Sequence, residues 1–278
     1  MNVWQLGISR RTVGLFAGLI GMVSLAIGAH AALNKRALDA AKAIGTEQAL
    51  DAGKPARVAL VIGNGNYPDA AAPLAQPIND ARALTSTLRR NGFDVEVVED
   101  ASKDDMERAI ARLKGKITKD AVVMLFFGGY GVQANRQSYM IPVDARIWKE
   151  RDIKREGISV ESVLEEIKES GARAKLVVMD ASRRNPYERR FRSYSHGLAP
   201  IAAPDNALIL TSATPGKVVD DSNGQNSVLV SELLNNFTTK TGLESVFNKT
   251  RISISRASDG EQVPTVSSTL IEEVSLGG

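Results

Sequence analysis

From residue 56 onward the chain alternates between two kinds of apolar pattern. Short unbroken runs read as strands buried on both faces; runs with apolar residues every three or four positions read as amphipathic helices. Val58–Ile62 is the first buried strand. Asp80–Asn91 predicts a helix, with Ala81, Leu84 and Leu88 on one side and Gly92 as its stop. Phe93–Val98 alternates as a strand, and Asp104–Ile117 turns Met106, Ile110 and Leu113 to one helix face. Ala121–Phe127 is the strongest strand signal. A helix over Val160–Ser170, strands over Lys175–Asp180 and Ala207–Thr211, helices over Ser227–Phe237 and Leu243–Ser255, and a short strand near Val266–Ile271 complete the series.

Strand and helix in alternation imply an α/β fold with a largely parallel sheet and helices on both faces. Ligands of such sheets sit beyond the carboxyl ends of the strands. Two of those ends carry unusual residues: Gly128-Gly129-Tyr130-Gly131 and Asp180-Ala181-Ser182-Arg183. If their strands are neighbours, Tyr130 and Ser182 share one crevice. Gly63-Asn64-Gly65 after the first strand lacks the third glycine and the helix start of a dinucleotide-binding turn, so no cofactor is expected.

The first residues change the setting. Arg10 and Arg11 precede an uncharged apolar stretch, Thr12 to Ala29, and Ala29-His30-Ala31 fits a small-residue cleavage site. Residues 1–31 are read as a signal peptide or membrane anchor, 32–55 as a polar spacer and 56–275 as the folded domain. Ser9-Arg10-Arg11-Thr12-Val13 also resembles a twin-arginine export signal. The domain is expected outside the cytoplasm, periplasmic or anchored in the inner membrane. Of a net charge of +3, the leader carries two units, which leaves no case for nucleic acid. The chain has no cysteine, so disulfides, thiolate metal sites and a thiol nucleophile are excluded. No His/Asp cluster has metal-ligand spacing.

Several ordered blocks resemble the bacterial caspase-like peptidases, the group of caspases, metacaspases and orthocaspases. They are Val58 to Asn64, Pro77-Ile78-Asn79-Asp80-Ala81-Arg82, Gly129-Tyr130-Gly131-Val132-Gln133 with Pro142-Val143-Asp144-Ala145, Asp180-Ala181-Ser182-Arg183-Arg184-Asn185-Pro186, and Gly197-Leu198-Ala199-Pro200. The resemblance implies a three-layer sandwich around a six-stranded sheet whose last strand runs antiparallel. It also implies a His at the place of Tyr130 and a Cys at that of Ser182, 52 residues apart here, close to the family's interval of about 50. By the same resemblance the backbone N–H groups of Gly131 and Ser182 form the oxyanion hole. Asp80 and Asp180 line a pocket for a basic side chain.

The substitutions remove the chemistry. A thiolate is partly populated near neutral pH, whereas a serine hydroxyl needs a positioned base. Tyr130 is a poor base, since a phenol with a pKa near 10 is about one part in a thousand ionised at pH 7; its neutral hydroxyl is expected to donate to Ser182. His30 lies in the leader, which leaves His196 as the rival base. The chain therefore reads as an exported pseudoprotease that binds a peptide or protein segment bearing Arg or Lys. Alternatives are a Ser182 hydrolase using His196 or Tyr130, and a regulatory partner of an active caspase-like homologue. For Asp80 the rival role is a helix cap, and for Asp180 an ion pair with a nearby Arg. Arg183 to Arg192 carries five arginines, which reads as a solvated loop or as a surface for an acidic partner or lipid headgroups. A membrane is otherwise expected only if the leader stays as an anchor.

Overall fold

The computed structural model describes residues 56–68, 73–191, 196–219, 224–237 and 241–275. The leader over 1–31, His30 within it, and the spacer over 32–55 lie outside the described residues.

The central sheet has six strands. In chain order they are β1 (Arg57–Gly63), β2 (Asp94–Glu99), β3 (Val122–Gly128), β7 (Ala174–Asp180), β8 (Ala207–Thr211) and β9 (Thr265–Ser268), arranged β2-β1-β3-β7-β8-β9. Every pairing is parallel except β8 with β9, which is antiparallel. This is the expected caspase-like sheet with its reversed last strand. A smaller antiparallel sheet joins β4 (Gly131–Ala134), β5 (Gln137–Met140) and β6 (Ile158–Ser159).

The central strands are buried on both sides, because alternate residues feed two apolar layers. Leu60, Leu125 and Val177 face one layer, closed by Met106, Ile110 and Leu113 of α2 (Lys103–Lys116) and Val163, Leu164 and Ile167 of α4 (Val160–Glu169). Val61, Phe126 and Val178 face the other. There they meet Leu84 and Leu88 of α1 (Pro77–Arg90), Leu233 of α5 (Val228–Asn236) and Phe247 of α6 (Leu243–Ala257). A third cluster, with Tyr67, Val132, Tyr139, Ile141, Ile147, Tyr187 and Phe191, lies under the β4–β5 hairpin.

The helix expected to begin at Asp80 begins at Pro77. Proline suits the first helical turn, where its missing N–H would have no partner anyway. Asp80 therefore sits inside the first turn, and the N-cap residue is Gln76, whose side chain makes no capping bond. The expected cap role of Asp80 on its own helix is corrected accordingly. Beyond the sequence expectation lie the two strands of the β4–β5 hairpin, β6, a short helix α3 (Glu150–Glu156) and a single 3-10 turn over Glu188–Arg190.

Candidate functional site

β1, β3 and β7 end on one row. The register pairs Gly63 with Gly128 and Gly128 with Asp180. Tyr130 and Ser182 thus lie two residues past the same rung of neighbouring strands. The two loops are stitched together: Gly129 N–H donates to the Asp180 carbonyl at 3.2 Å and Gly131 N–H to the Ala181 carbonyl at 3.0 Å. Only glycine fits at 131, because a Cβ there would come within 2.5 Å of Leu198 Cδ2 and 2.7 Å of the Ala181 carbonyl oxygen.

Tyr130 is held on its other side by Tyr67. The Tyr130 N–H donates to Tyr67 Oη at 3.1 Å, and Tyr67 Oη donates to the Ile141 carbonyl at 2.9 Å. The two rings meet edge to face with centroids 4.8 Å apart. Burial raises the Tyr67 phenol far above its ordinary pKa, so it stays protonated as a donor. Asn64 does similar stitching: its Oδ1 accepts from Ala101 N–H at 2.9 Å and its Nδ2 donates to the Ile141 carbonyl at 3.3 Å. The Gly63-Asn64-Gly65 turn thus carries a buried side-chain brace.

Ser182 is 1% exposed, and its Oγ has no hydrogen-bond partner. The hydrogen bond expected from the Tyr130 phenol is therefore not made. His196 does not reach Ser182 Oγ either. Its Nδ1 lies 3.7 Å from Glu188 Oε2, and its carbonyl accepts from Gln133 Nε2 at 2.7 Å. The two backbone groups expected to hold an oxyanion are both engaged. Gly131 N–H serves Ala181, and Ser182 N–H donates to Ser212 Oγ at 3.3 Å. The Ser182 carbonyl accepts from Val219 N–H at 2.7 Å, so the chain after β8 folds across Ser182. Among the described residues, no base is aligned on the Ser182 hydroxyl, and neither expected oxyanion donor is open.

Asp80 and Asp180 are both buried. Asp80 Oδ1 accepts from Asn226 Nδ2 at 2.9 Å and from Ser227 N–H at 3.0 Å, at the residue that caps α5. Its other oxygen has no hydrogen-bond partner, and neither does Asp180 Oδ2. Burial first, and the negative charge of Asp180 second, push the Asp80 pKa up to about 6. Arg183 turns inward beside them, with Nη2 3.9 Å from Asp180 Oδ2 and both side chains almost wholly buried. The cavity left among Gln76, Asp180, Arg183, Val219, Ser227 and Gln262 measures about 10 Å³, room for about one water. The acidic place expected for a foreign cation is thus filled by the chain's own guanidinium. The ion pair with a nearby Arg expected as the rival role of Asp180 is thus present, with Arg183 of the Asp-Ala-Ser-Arg block as the partner; its burial one residue after Ser182 is not apparent from composition.

The profile of the caspase domain matches residues 56–275. The chain belongs to the caspase family. Among curated relatives, the human mucosa-associated lymphoid tissue lymphoma translocation protein 1 is 34% identical over 89 residues, covering 32% of this chain and 11% of that protein. Its mouse homologue is 33% identical over the same length, with the same coverage. The chain thus spans about a tenth of the length of these relatives. The sheet and its order are those expected for the family, and Tyr130 and Ser182 stand at the places that the resemblance assigns to the dyad.

Proposed function

We propose that the protein is a non-catalytic caspase-fold module that binds a protein or peptide segment through a basic side chain, and that it works outside the cytoplasm. The observation that carries the first part is Ser182 Oγ, buried with no hydrogen-bond partner. A serine nucleophile needs a base in hydrogen-bond reach, and the chain offers no thiol in its place.

The acid pair supports the binding half of the proposal. A buried carboxylate oxygen without a donor is costly, and a cation relieves that cost. Arg183 relieves it from 3.9 Å, longer than the 2.7–2.9 Å of a charge-assisted hydrogen bond. A peptide arginine with two-pronged geometry would hold the carboxylates better, and would enter by displacing Arg183. Calorimetry with Arg peptides and matched Ala peptides tests this on the wild type, Asp80→Asn and Asp180→Asn. Tighter binding of the Arg peptide, weakened by salt and by either substitution, is the expected result. Equal binding of both peptides would reduce the pair to an internal ion-pair partner and a brace for Ser227.

Two rival roles give different results in the same hands. A hydrolase using Ser182 would be labelled by a fluorophosphonate and lose the label in Ser182→Ala and His196→Ala. A regulatory partner of an active caspase-like homologue would co-purify with that enzyme and inhibit or activate it. Export rests on Arg10-Arg11, the apolar stretch and Ala29-His30-Ala31. N-terminal sequencing of native protein is expected to begin near Ala32, and intact Met1 in a soluble cytoplasmic fraction would reject it.

A further inference from the structure

On the surface, away from the acid pair, two segments are pinned together around an exposed indole. Trp148 is 65% exposed, and the Arg190 guanidinium lies 4.7 Å above its ring. Arg190 Nη1 also donates to the Ile147 carbonyl at 2.7 Å. From below, the buried carboxylate of Asp152 accepts from the N–H groups of Trp148 at 3.1 Å and Lys149 at 3.0 Å. These bonds fix the backbone on both sides, so the indole is displayed by a braced turn. Around it Arg146, Lys149 and Arg151 from one segment and Arg189 and Arg190 from the other are exposed. The acids close by are partly buried and engaged: Asp152 holds the turn, Glu156 accepts from Arg146 N–H and pairs with Arg155, Glu188 lies 3.7 Å from Arg184, and Glu150 is half-buried. Among the described residues, none of Arg146, Lys149, Arg151 and Arg189 is closed into an ion pair.

We propose that this patch docks the domain on an anionic lipid surface. Indoles favour the headgroup level of a bilayer, where an apolar ring and a polar N–H are both satisfied. Each Lys or Arg near an anionic leaflet adds about 1 kcal/mol, so Arg146, Lys149, Arg151 and Arg189 together with the indole are enough to hold a domain reversibly. An acidic protein segment would satisfy the cations, but it would have to bring a counter-surface shaped for Trp148. A bilayer accepts the ring without one. The docking is independent of the acid pair and of any peptide bound there.

Flotation of the full-length protein with vesicles tests the proposal. The apolar stretch over 12–29 can itself bind lipid, so the readout is the difference between wild type and variants. On vesicles containing phosphatidylglycerol, the double variant Lys149→Glu/Arg189→Glu is expected to bind about tenfold more weakly than wild type, or worse. Neither of those side chains braces the turn, so thermal unfolding should stay unchanged. Trp148→Ala is expected to weaken binding several-fold and to remove fluorescence quenching by brominated lipid that the wild type shows. Equal binding to pure phosphatidylcholine vesicles, or wild-type binding by both variants, would overturn the proposal. Tighter binding of a soluble poly-glutamate peptide than of the anionic vesicles would overturn it in favour of an acidic protein partner.

Discussion

Arg183 directs its guanidinium at Asp180, three residues back along the chain, at 3.9 Å and almost out of contact with solvent. The ion pair closes the space that the caspase-family resemblance assigns to a substrate's basic side chain. Whatever enters there must compete with a cation tethered next to the nucleophile position.

Removing that cation is therefore expected to open the pocket. Arg183→Gln should bind Arg peptides at least about fivefold more tightly than wild type, because a buried carboxylate stripped of its partner gains more from a new one. Its thermal stability should fall, and Arg peptides should restore it with the logarithm of their concentration above the dissociation constant. If Arg183→Gln destabilises the fold and gains no affinity, Arg183 is a structural ion-pair partner only.

Wild type is expected to turn over no Arg or Lys peptide, and Ser182→Ala is expected to change nothing. Tyr130→His with Ser182→Cys together should recover at most weak activity, and either alone none, because nucleophile and base act as a unit. The reason is now concrete: Gly131 N–H and Ser182 N–H are spent on Ala181 and Ser212. Turnover equal to that of active relatives would show that the surrounding loops open freely.

Asp80 makes stability depend on pH in an unusual direction. Its folded pKa of about 6 lies above the ordinary carboxyl value, so the folded state holds the proton more tightly. The stabilisation is fully present below about pH 4 and is lost as pH rises through 6, at a cost on the order of 2–3 kcal/mol. Asp80→Asn keeps an acceptor for Asn226 and Ser227 and removes the charge. Its stability relative to wild type should therefore rise between pH 4 and pH 7, as urea unfolding at both ends of the range would read. A difference independent of pH would place the folded pKa at its ordinary value.

Gly131→Ala should destabilise the domain by about 1–3 kcal/mol, since the new methyl meets the Ala181 backbone, which has no room to yield. Thermal unfolding measures it. An unchanged midpoint would mean that the two loops are less tightly joined than the Gly131–Ala181 bond implies.

Much of the fold was legible because its strands are uninterrupted apolar runs. Val122–Gly128 and Ala174–Asp180 have no polar face to confuse the reading, apart from Lys175. The hairpin was missed because its strands are four residues long and its start coincides with the glycine motif around Tyr130. Asn135 and Arg136 both adopt positive φ, the two-residue turn that joins short strands, but Arg136 stands where that turn usually has glycine, so the sequence carries only half of its mark. Of the site, neighbouring placement of Tyr130 and Ser182 followed from strand order. The contacts did not. That Tyr67 would hold the Tyr130 backbone, that Ser212 would take the Ser182 N–H, and that Arg183 would turn inward depend on loops whose paths no periodicity encodes.

The shared row at which β1, β3 and β7 stop has a consequence for how this protein can change over time. The pairing of β1, β3 and β7 ends at Gly63, Gly128 and Asp180, and Tyr130 and Ser182 lie beyond it. Side chains at 130 and 182 take no part in that ladder; what they contribute to folding is confined to the loops, where Tyr130 meets Tyr67 and Ser182 is buried. A change at either place is felt first in those loops and leaves the register of the strands as it is. The crevice can thus be altered loop by loop while the ladder of the central sheet is kept.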